Sequence, residues 1–267
     1  MNVFRKAVTA CVVAGAGLVL AAVSAGSALA ATTHPGATGP AGSAAGRGGA
    51  IRDHAFGRST AAPISNHTFA GYQTNVTTGS ATSSAATFTV PKLSCTTATR
   101  TIAADVGVAA NNFNSDSIAG VATQCASGKA VYFPSLVANN TEADYTALHF
   151  AAGNVINLSA SVTTTGITVQ VTDVTTGVTV TNTITGAGAS ANAAWIGDDP
   201  WYSSTGTLLG VPNFGTLTFT NCLIDGNTLQ SWNPQQYQRV NSTGVVQIAT
   251  GALSAGGNAF TTTYKHA

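Results

Sequence analysis

Carboxylate side chains are the groups in this chain most able to do chemistry, because they can serve as general acids, general bases or nucleophiles. Glu142 is the only glutamate, and it lies in the segment ANNTEADY. Asp198 and Asp199 precede Pro200, a combination typical of a turn after a strand. From Ser65 onward the acids are Asp105, Asp116, Glu142, Asp144, Asp173, Asp198, Asp199 and Asp225.

Other catalytic signatures are missing from the sequence. It contains no GxSxG nucleophile elbow, no HExxH zinc motif and no GxxxxGK[ST] phosphate loop. It also has no CxxC pair, and its histidines are scattered along the chain. We therefore expect neither a metal site nor a cofactor.

The cysteines indicate an oxidising compartment. Cys11 falls in the N-terminal segment that we expect to be removed, which leaves Cys95, Cys125 and Cys222. Three cysteines cannot all pair within one chain, so one bridge and one buried thiol is the simplest arrangement. We predict a disulfide between Cys95 and Cys125, which flank a loop of 29 residues.

The composition excludes several classes of protein. Only 7% of the 267 residues are charged, and the formal net charge is +1. Helical bundles need abundant Glu, Lys, Arg and Leu, and nucleic-acid binders need a basic surplus. From Ser65 onward five basic residues stand against eight acidic ones, which offers nothing to attract phosphate or a membrane surface. We therefore expect neither nucleic acid nor membrane as a partner. We also expect the protein to be a monomer.

Residues 1–30 are typical of a secretory signal peptide. A short basic region precedes an apolar run over residues 7–22 and the small-x-small cleavage site Ala28-Leu29-Ala30. A membrane anchor is the alternative, but the run is shorter than the roughly 20 residues that a span needs. The sequence thus predicts a secreted, extracellular protein with a disordered linker or pro-segment over 31–64 and a folded domain over 65–267.

From Phe69 onward, apolar and polar residues alternate as they do in amphipathic β-strands. In ITVQV, for example, Ile167, Val169 and Val171 face one way while the polar residues between them face the other. No window of the sequence keeps a helical period. The pattern predicts an all-β fold, a two-sheet antiparallel β-sandwich.

Seven segments, taken in chain order, resemble motifs of a single family. They are FAGYQ (Phe69–Gln73), ATFTVPKLSC (Ala86–Cys95), DVGVAA (Asp105–Ala110), SIAGVATQC (Ser117–Cys125), AAWIGDDP (Ala193–Pro200), NFGTLTFTN (Asn213–Asn221) and the tail VVQIATGALSAGGNAFTTTY (Val245–Tyr264). They resemble the glutamic peptidase (eqolisin) family of secreted acid endopeptidases. The resemblance implies a concanavalin A-like sandwich over roughly residues 66–264.

The resemblance also implies a mechanism in which a glutamate general base activates water and a glutamine amide stabilises the oxyanion. Matched motif by motif, the glutamine falls on Ile118 and the glutamate on Ala194. The family's groove tryptophan and aspartate fall on Asp105 and Ala109, and a further glutamate falls on Phe133. Since all five positions are changed, we expect a catalytically degenerate member that has no catalytic pair.

We therefore expect the groove to bind a ligand, a peptide or a polysaccharide, without hydrolysing it. Trp195 is expected to face opposite to Ala194, into the sandwich core. The expected binding residues are Asp105, Ile118, Tyr132, Phe133, Ala194 and Asp198.

Two alternatives stay open. The first is an acid endopeptidase with a relocated carboxylate, for which Asp198 is the best candidate, although it lies about 13 Å along the strand from the position of Ala194. The second is a lectin-like or carbohydrate-active sandwich. Trp201 and Tyr202 either stand exposed near a rim or pack under a loop, and a glycosidase would depend on Asp105 and Asp116.

Overall fold

The computed structural model describes residues 62–74, 81–110, 115–139, 141–145, 148–185, 191–203 and 207–267. The predicted signal peptide and most of the predicted linker lie outside the described residues. No helix within these ranges is long and apolar enough to span a membrane. The prediction of an all-β fold is confirmed, because strands account for nearly all of the regular structure.

The strands and one short helix have the following bounds: β1 Ile64–Asn66, β2 Ala70–Gln73, β3 Ser83–Thr89, β4 Arg100–Ala110, β5 Ser115–Ala126, β6 Lys129–Ala138, β7 Thr141–Asp144, β8 Val155–Thr163, β9 Gly166–Asp173, β10 Val178–Thr185, β11 Ala191–Pro200, β12 Thr216–Ile224, β13 Asn227–Thr228, a 3-10 helix Leu229–Trp232, β14 Gln235–Val240, β15 Val246–Thr250 and β16 Phe260–Tyr264.

The strands form two layers of one hydrogen-bonded ladder that folds over on itself. The first layer has the order β10-β9-β8-β3-β12-β16, and the second has the order β14-β2-β11-β4-β5-β6-β7. β15 joins the layers because it pairs with both β14 and β16. β1 adds to β14 in the parallel sense, whereas the pairings along both layers are antiparallel.

The sandwich interior is formed by alternate residues of both layers. Leu158 and Val169 come from the first layer, and Val106, Val121 and Ile196 come from the second; all five belong to one buried cluster. Strand side chains point alternately to the two faces of a sheet, so the intervening residues of each strand must lie on an outer face.

The outer face of the second layer is also buried, and we call it the distal face. Trp195 and Ile118 lie there in a cluster with Phe69, Ala109, Val137 and Tyr237. A neighbouring cluster on the same face contains Phe133 and Trp201. The second layer therefore buries apolar side chains on both faces.

The predicted disulfide is present. Cys95 and Cys125 are bonded, with their Cα atoms 5.3 Å apart. Cys222 is a buried free thiol, and burial raises its pKa to about 12, which keeps it in the unreactive protonated form.

Candidate functional site

The register of the second layer arranges the distal face in rows that run across the strands. Residues directly opposite each other in neighbouring strands point to the same side of a sheet. The first row comprises Gln235, Gln73, Trp195, Gly107, Ile118 and Val137. The second row comprises Tyr237, Gly71, Gly197, Asp105, Gly120 and Ser135.

A third row carries charge. Asp199 stands opposite Ala103, followed by Ala122 and Phe133 on the next two strands. Arg239 lies two residues beyond Tyr237 on β14, which places it on the same face. The three rows bring together side chains that are up to about 170 residues apart in the sequence, and three of the six expected binding residues, Asp105, Ile118 and Phe133, fall within them.

Ala194 and Trp195 exchange the faces that the sequence analysis assigned to them. Ala194 is fully buried in the sandwich interior with Ile196, and Trp195 lies on the distal face. Trp195 stands opposite Gly107, and a Cβ atom on that glycine would overlap the indole ring. The prediction that Trp195 faces the core was wrong, because the ring needs the space above a glycine and finds it on the distal face.

Asp105 lies on the distal face, as the expected groove would require, but its carboxylate is fully buried. Its Oδ1 accepts a hydrogen bond from the indole Nε1 of Trp195 at 3.3 Å. A carboxylate held by an indole N–H in a buried site is positioned by the protein rather than presented to solvent.

Ile118 and Phe133 are buried on the distal face, with 2% and 6% of their surfaces exposed. Ile118 packs with Trp195 and Val137. Phe133 meets Trp201 edge to face, with ring centroids 6.1 Å apart. Trp201 is itself 1% exposed, so of the two arrangements considered for it, packing is the one adopted.

Tyr132 lies on the interior face, because its neighbour Phe133 occupies the distal face. Its hydroxyl oxygen accepts a hydrogen bond from the Leu93 backbone N–H at 3.1 Å. Tyr132 belongs to the interior cluster and is 6% exposed. Of the six expected binding residues, then, Tyr132, Ala194 and Asp198 point into the sandwich, and only the other three lie on the distal face.

Asp198 shares the interior face with Ala194 and Ile196. The sequence predicted that residues 198–200 form a turn after the strand, but all three belong to β11 and pair with β4. Burial raises the pKa of Asp198 from 3.8 to about 7, and Asp199 adds to the rise, whereas the Thr262 hydroxyl and Arg239 oppose it. A carboxyl group in this environment is protonated at acid pH and is turned away from the distal face.

Sequence reasoning missed three polar residues of the distal face. Gln73 and Gln235 stand opposite each other on β2 and β14 and are 0% and 3% exposed. Within the described residues, no hydrogen-bond partner contacts either side-chain amide. The third residue, Arg239, is 1% exposed. Only five basic residues follow Ser65 in the sequence, and this scarcity was the signal that could have drawn attention to Arg239.

By register, Glu142 lies at the outer end of the first row, on the edge strand of the layer. It is in the edge strand β7, opposite Val137. Four strand spacings separate β7 from β11, which amounts to about 19 Å across the sheet. The only glutamate of the chain therefore lies on the sheet edge rather than beside the positions matched to the catalytic pair.

The chain belongs to the Peptidase A4 family, whose model matches residues 67–264. Among solved structures, scytalido-glutamic peptidase with a transition state analog inhibitor is 16% identical, with a TM-score of 0.62, and covers 74% of this chain and 98% of its own. SCP-B, an eqolisin in a complex with the tripeptide Ala-Ile-His, is 17% identical with a TM-score of 0.58 and the same coverage.

Aspergilloglutamic peptidase from Aspergillus niger is 23% identical, with a TM-score of 0.52, and covers 62% of this chain and 99% of its own. No curated protein sequence matches the chain significantly. At these identities the structural likeness establishes the fold, and it agrees with the family resemblance of the seven sequence segments.

Proposed function

We propose that this protein is a secreted member of the Peptidase A4 family that has lost its catalytic pair and acts as a non-catalytic binding or structural module. The observation that carries the proposal is the first row of the distal face. Ile118, on which the family resemblance places the glutamine, packs there beside Gly107 and Trp195, whereas Ala194, on which it places the glutamate, lies on the opposite face of the sheet.

The physical argument is the chemistry of peptide hydrolysis. A water molecule must be deprotonated by a nearby base, and the developing oxyanion needs a hydrogen-bond donor at the same point. Ile118 offers neither group, and Ala194 points into the sandwich. The indole of Trp195 donates to Asp105 instead of to a substrate.

A relocated aspartate is the first alternative, and the structure favours Asp105 over Asp198 for that role. Asp198 is turned into the sandwich interior beside Thr262. Asp105 lies on the distal face, one row from the amide of Gln73. An enzyme of this kind would have to release Asp105 from Trp195 before the carboxylate could reach water.

A carbohydrate-active sandwich has less support. Asp105 and Asp116 are on adjacent strands but four residues out of register, because Asp116 pairs with Ala109. Their Cα atoms are thus separated by about 14 Å, whereas glycosidase carboxyl groups stand about 5–9.5 Å apart. Trp201, an aromatic considered for sugar stacking, is buried against Phe133.

Secretion is part of the proposal and rests on the N-terminal pattern together with the disulfide, which forms in oxidising compartments. We propose that residues 1–30 are removed and that residues 31–64 form a tether or pro-segment. Mass spectrometry of the secreted product should find Ala31, or a residue within the tether, at its N-terminus. Retention of Met1 would contradict this part of the proposal.

Proteolysis is the direct test. The purified chain is incubated with a mixed peptide library from pH 2 to 8, and cleavage is followed by mass spectrometry, with circular dichroism to establish folding at each pH. Asp105→Asn and Asp198→Asn variants are tested in parallel. We expect no cleavage by the folded wild type.

Cleavage that is lost only in the Asp105→Asn variant would replace the proposal with the relocated-aspartate enzyme. Cleavage that persists in both variants would point to a catalytic group outside the two aspartates, and it would equally overturn the proposal. Retention of the protein on an insoluble glycan, without peptide cleavage, would select the lectin-like alternative.

A further inference from the structure

A cavity of about 320 Å³ lies where β14 ends, at the margin of the distal face. Arg239 and Gln247 line it from β14 and β15, and His67 lines it from the segment between β1 and β2. The segments 208–210 and 240–242 complete the wall. The volume falls in the range of small-molecule sites, about 300–1,000 Å³.

The guanidinium of Arg239 is the chemically distinctive group of this wall. Arg239 is 1% exposed, although it is a charged residue. Its Nη2 donates one long hydrogen bond, 3.4 Å, to the carbonyl oxygen of Leu209. Among the described residues, no partner accepts from Nε or Nη1. These two nitrogens carry three of the five N–H groups of a guanidinium, and burying them unused is costly.

The ionisable neighbours of Arg239 are not part of the cavity wall. Charge interactions with Tyr202, Asp198 and Asp199 raise the pKa of Arg239 and so favour its cationic form, against the lowering caused by burial. None of them belongs to the cavity wall, and the described residues that form this wall include no aspartate or glutamate. The described part of the wall therefore presents no carboxylate that would repel an anion.

We propose that this cavity binds a carboxylate group, with Arg239 as its anchor. The planar guanidinium matches a carboxylate in two parallel hydrogen bonds, which makes arginine the preferred residue for such recognition. Gln247, which is 8% exposed, adds an amide-bearing residue to the wall. The carboxylate belongs to a small organic acid or to the C-terminus of a peptide. This inference goes beyond the proposed function, because it does not depend on the loss of catalysis.

Binding should be tighter in acid than in alkaline solution. The titratable groups near Arg239 are Asp198, Asp199 and Tyr202, which do not line the cavity, and His67, which does. Burial raises the pKa of Asp198 to about 7, so this carboxyl group is neutral at pH 5.5 and charged at pH 8.5. At the lower pH the charge of Arg239 is balanced by one carboxylate fewer, and its attraction for an anion is stronger.

The test uses the whole purified chain and isothermal titration at pH 5.5 and 8.5. The probes are benzoate, with benzamide as its neutral control, and a tripeptide prepared as the free acid and as the C-terminal amide. We expect at least one of the two acids to bind at least tenfold more tightly than its amide. Arg239→Gln should reduce that binding at least tenfold, whereas Lys129→Gln, which removes an exposed cation at the start of β6, should not change it.

The outcomes separate the two sources of the carboxylate. Binding of benzoate alone supports a small organic acid, and binding of the peptide acid supports a chain terminus.

Absence of binding by both acids to the folded wild type would overturn the proposal, as would equal binding of acid and amide or an unaffected Arg239→Gln variant. If that variant does not fold, the wild-type Arg239 Nε–H resonance decides, because it must shift with benzoate and not with benzamide. None of these measurements requires cleavage, so they stand apart from the peptidase assay.

Discussion

The two layers of the sandwich share one interior but differ in their outer faces. The outer face of the first layer consists of polar pairs across β9 and β10, in which Gln170 donates to Thr181 at 3.0 Å and the hydroxyls of Thr172 and Thr179 lie 3.1 Å apart. The distal face of the second layer carries large buried side chains such as Trp195 and Tyr237.

The two outer faces differ in how their polar groups find hydrogen-bond partners. Small polar side chains on a solvated sheet face can exchange their hydrogen bonds with water. On the distal face each polar group depends on the protein or on a ligand for its partner. Asp105 obtains one from Trp195, whereas the amides of Gln73 and Gln235 have none among the described residues. Substitutions should therefore have large effects on the distal face and small ones on the outer face of the first layer.

The largest effect is expected for Trp195→Ala. The substitution leaves a cavity over Gly107 and removes the hydrogen-bond donor of Asp105, so it should lower the free energy of unfolding by about 3–5 kcal/mol. Thr181→Ala, the matched change on the first layer, should stay within about 0.5 kcal/mol. Urea denaturation of both variants measures the difference. Equal losses would mean that the two outer faces are energetically alike.

The second effect concerns pH and Asp198. Its pKa is raised from 3.8 to about 7, so the folded protein binds this proton more tightly than the unfolded chain does. The resulting stabilisation is complete below pH 3.8 and is lost as the pH rises through about 7. It is of the order of 4 kcal/mol.

Stability measured from pH 4 to 8.5 should therefore fall with rising pH in the wild type. The slope should be much smaller in Asp198→Asn and unchanged in Thr181→Ala. A wild type whose stability is constant or rises over this range would show that Asp198 keeps its charge when the protein folds.

A smaller effect of opposite sign is expected for Gln73→Leu. Replacing a buried amide that has no partner with an apolar side chain of similar size removes a desolvation cost, so the protein should become more stable by about 1–2 kcal/mol. Gln170→Leu is the control, because that amide already donates to Thr181. A loss of stability in Gln73→Leu, measured by denaturant unfolding, would mean that the Gln73 amide is satisfied in solution.

The smallest effect is the coupling between Thr172 and Thr179. A double-mutant cycle with alanine at both positions should give about 0.2–1 kcal/mol, as cross-strand polar pairs usually do. The same cycle at Trp195 and Asp105 should give a larger coupling, because that hydrogen bond is buried. A larger coupling for the threonine pair would reverse the comparison between the two faces.

Much of the fold could be predicted from the sequence because it depends on local patterns. The alternation around Ile167–Val171 predicts a strand and its buried side, and β9 has that burial pattern. The pairing of Cys95 with Cys125 was also predicted, and these cysteines lie at the ends of the segments LSC and TQC. Such features need only the period of a strand or a short separation along the chain.

The candidate site could be predicted only in part. Asp105, Ile118 and Phe133 were placed on a common face, and the register of β4, β5 and β6 places them there. Ala194 was assigned to the wrong face, because alternation says which residues share a side but not which side is the interior. That choice depends on pairing with β4, where Gly107 provides the space for Trp195.

The sequence by itself determined that the chain forms strands, that one disulfide joins Cys95 to Cys125, and that Glu142 is its only glutamate. Only the tertiary structure decided that Gln73 meets Gln235 and that Arg239 is buried at the wall of a cavity. The physical reason is that these residues are brought together by hydrogen bonds between strands more than 150 residues apart, whose register no local pattern encodes.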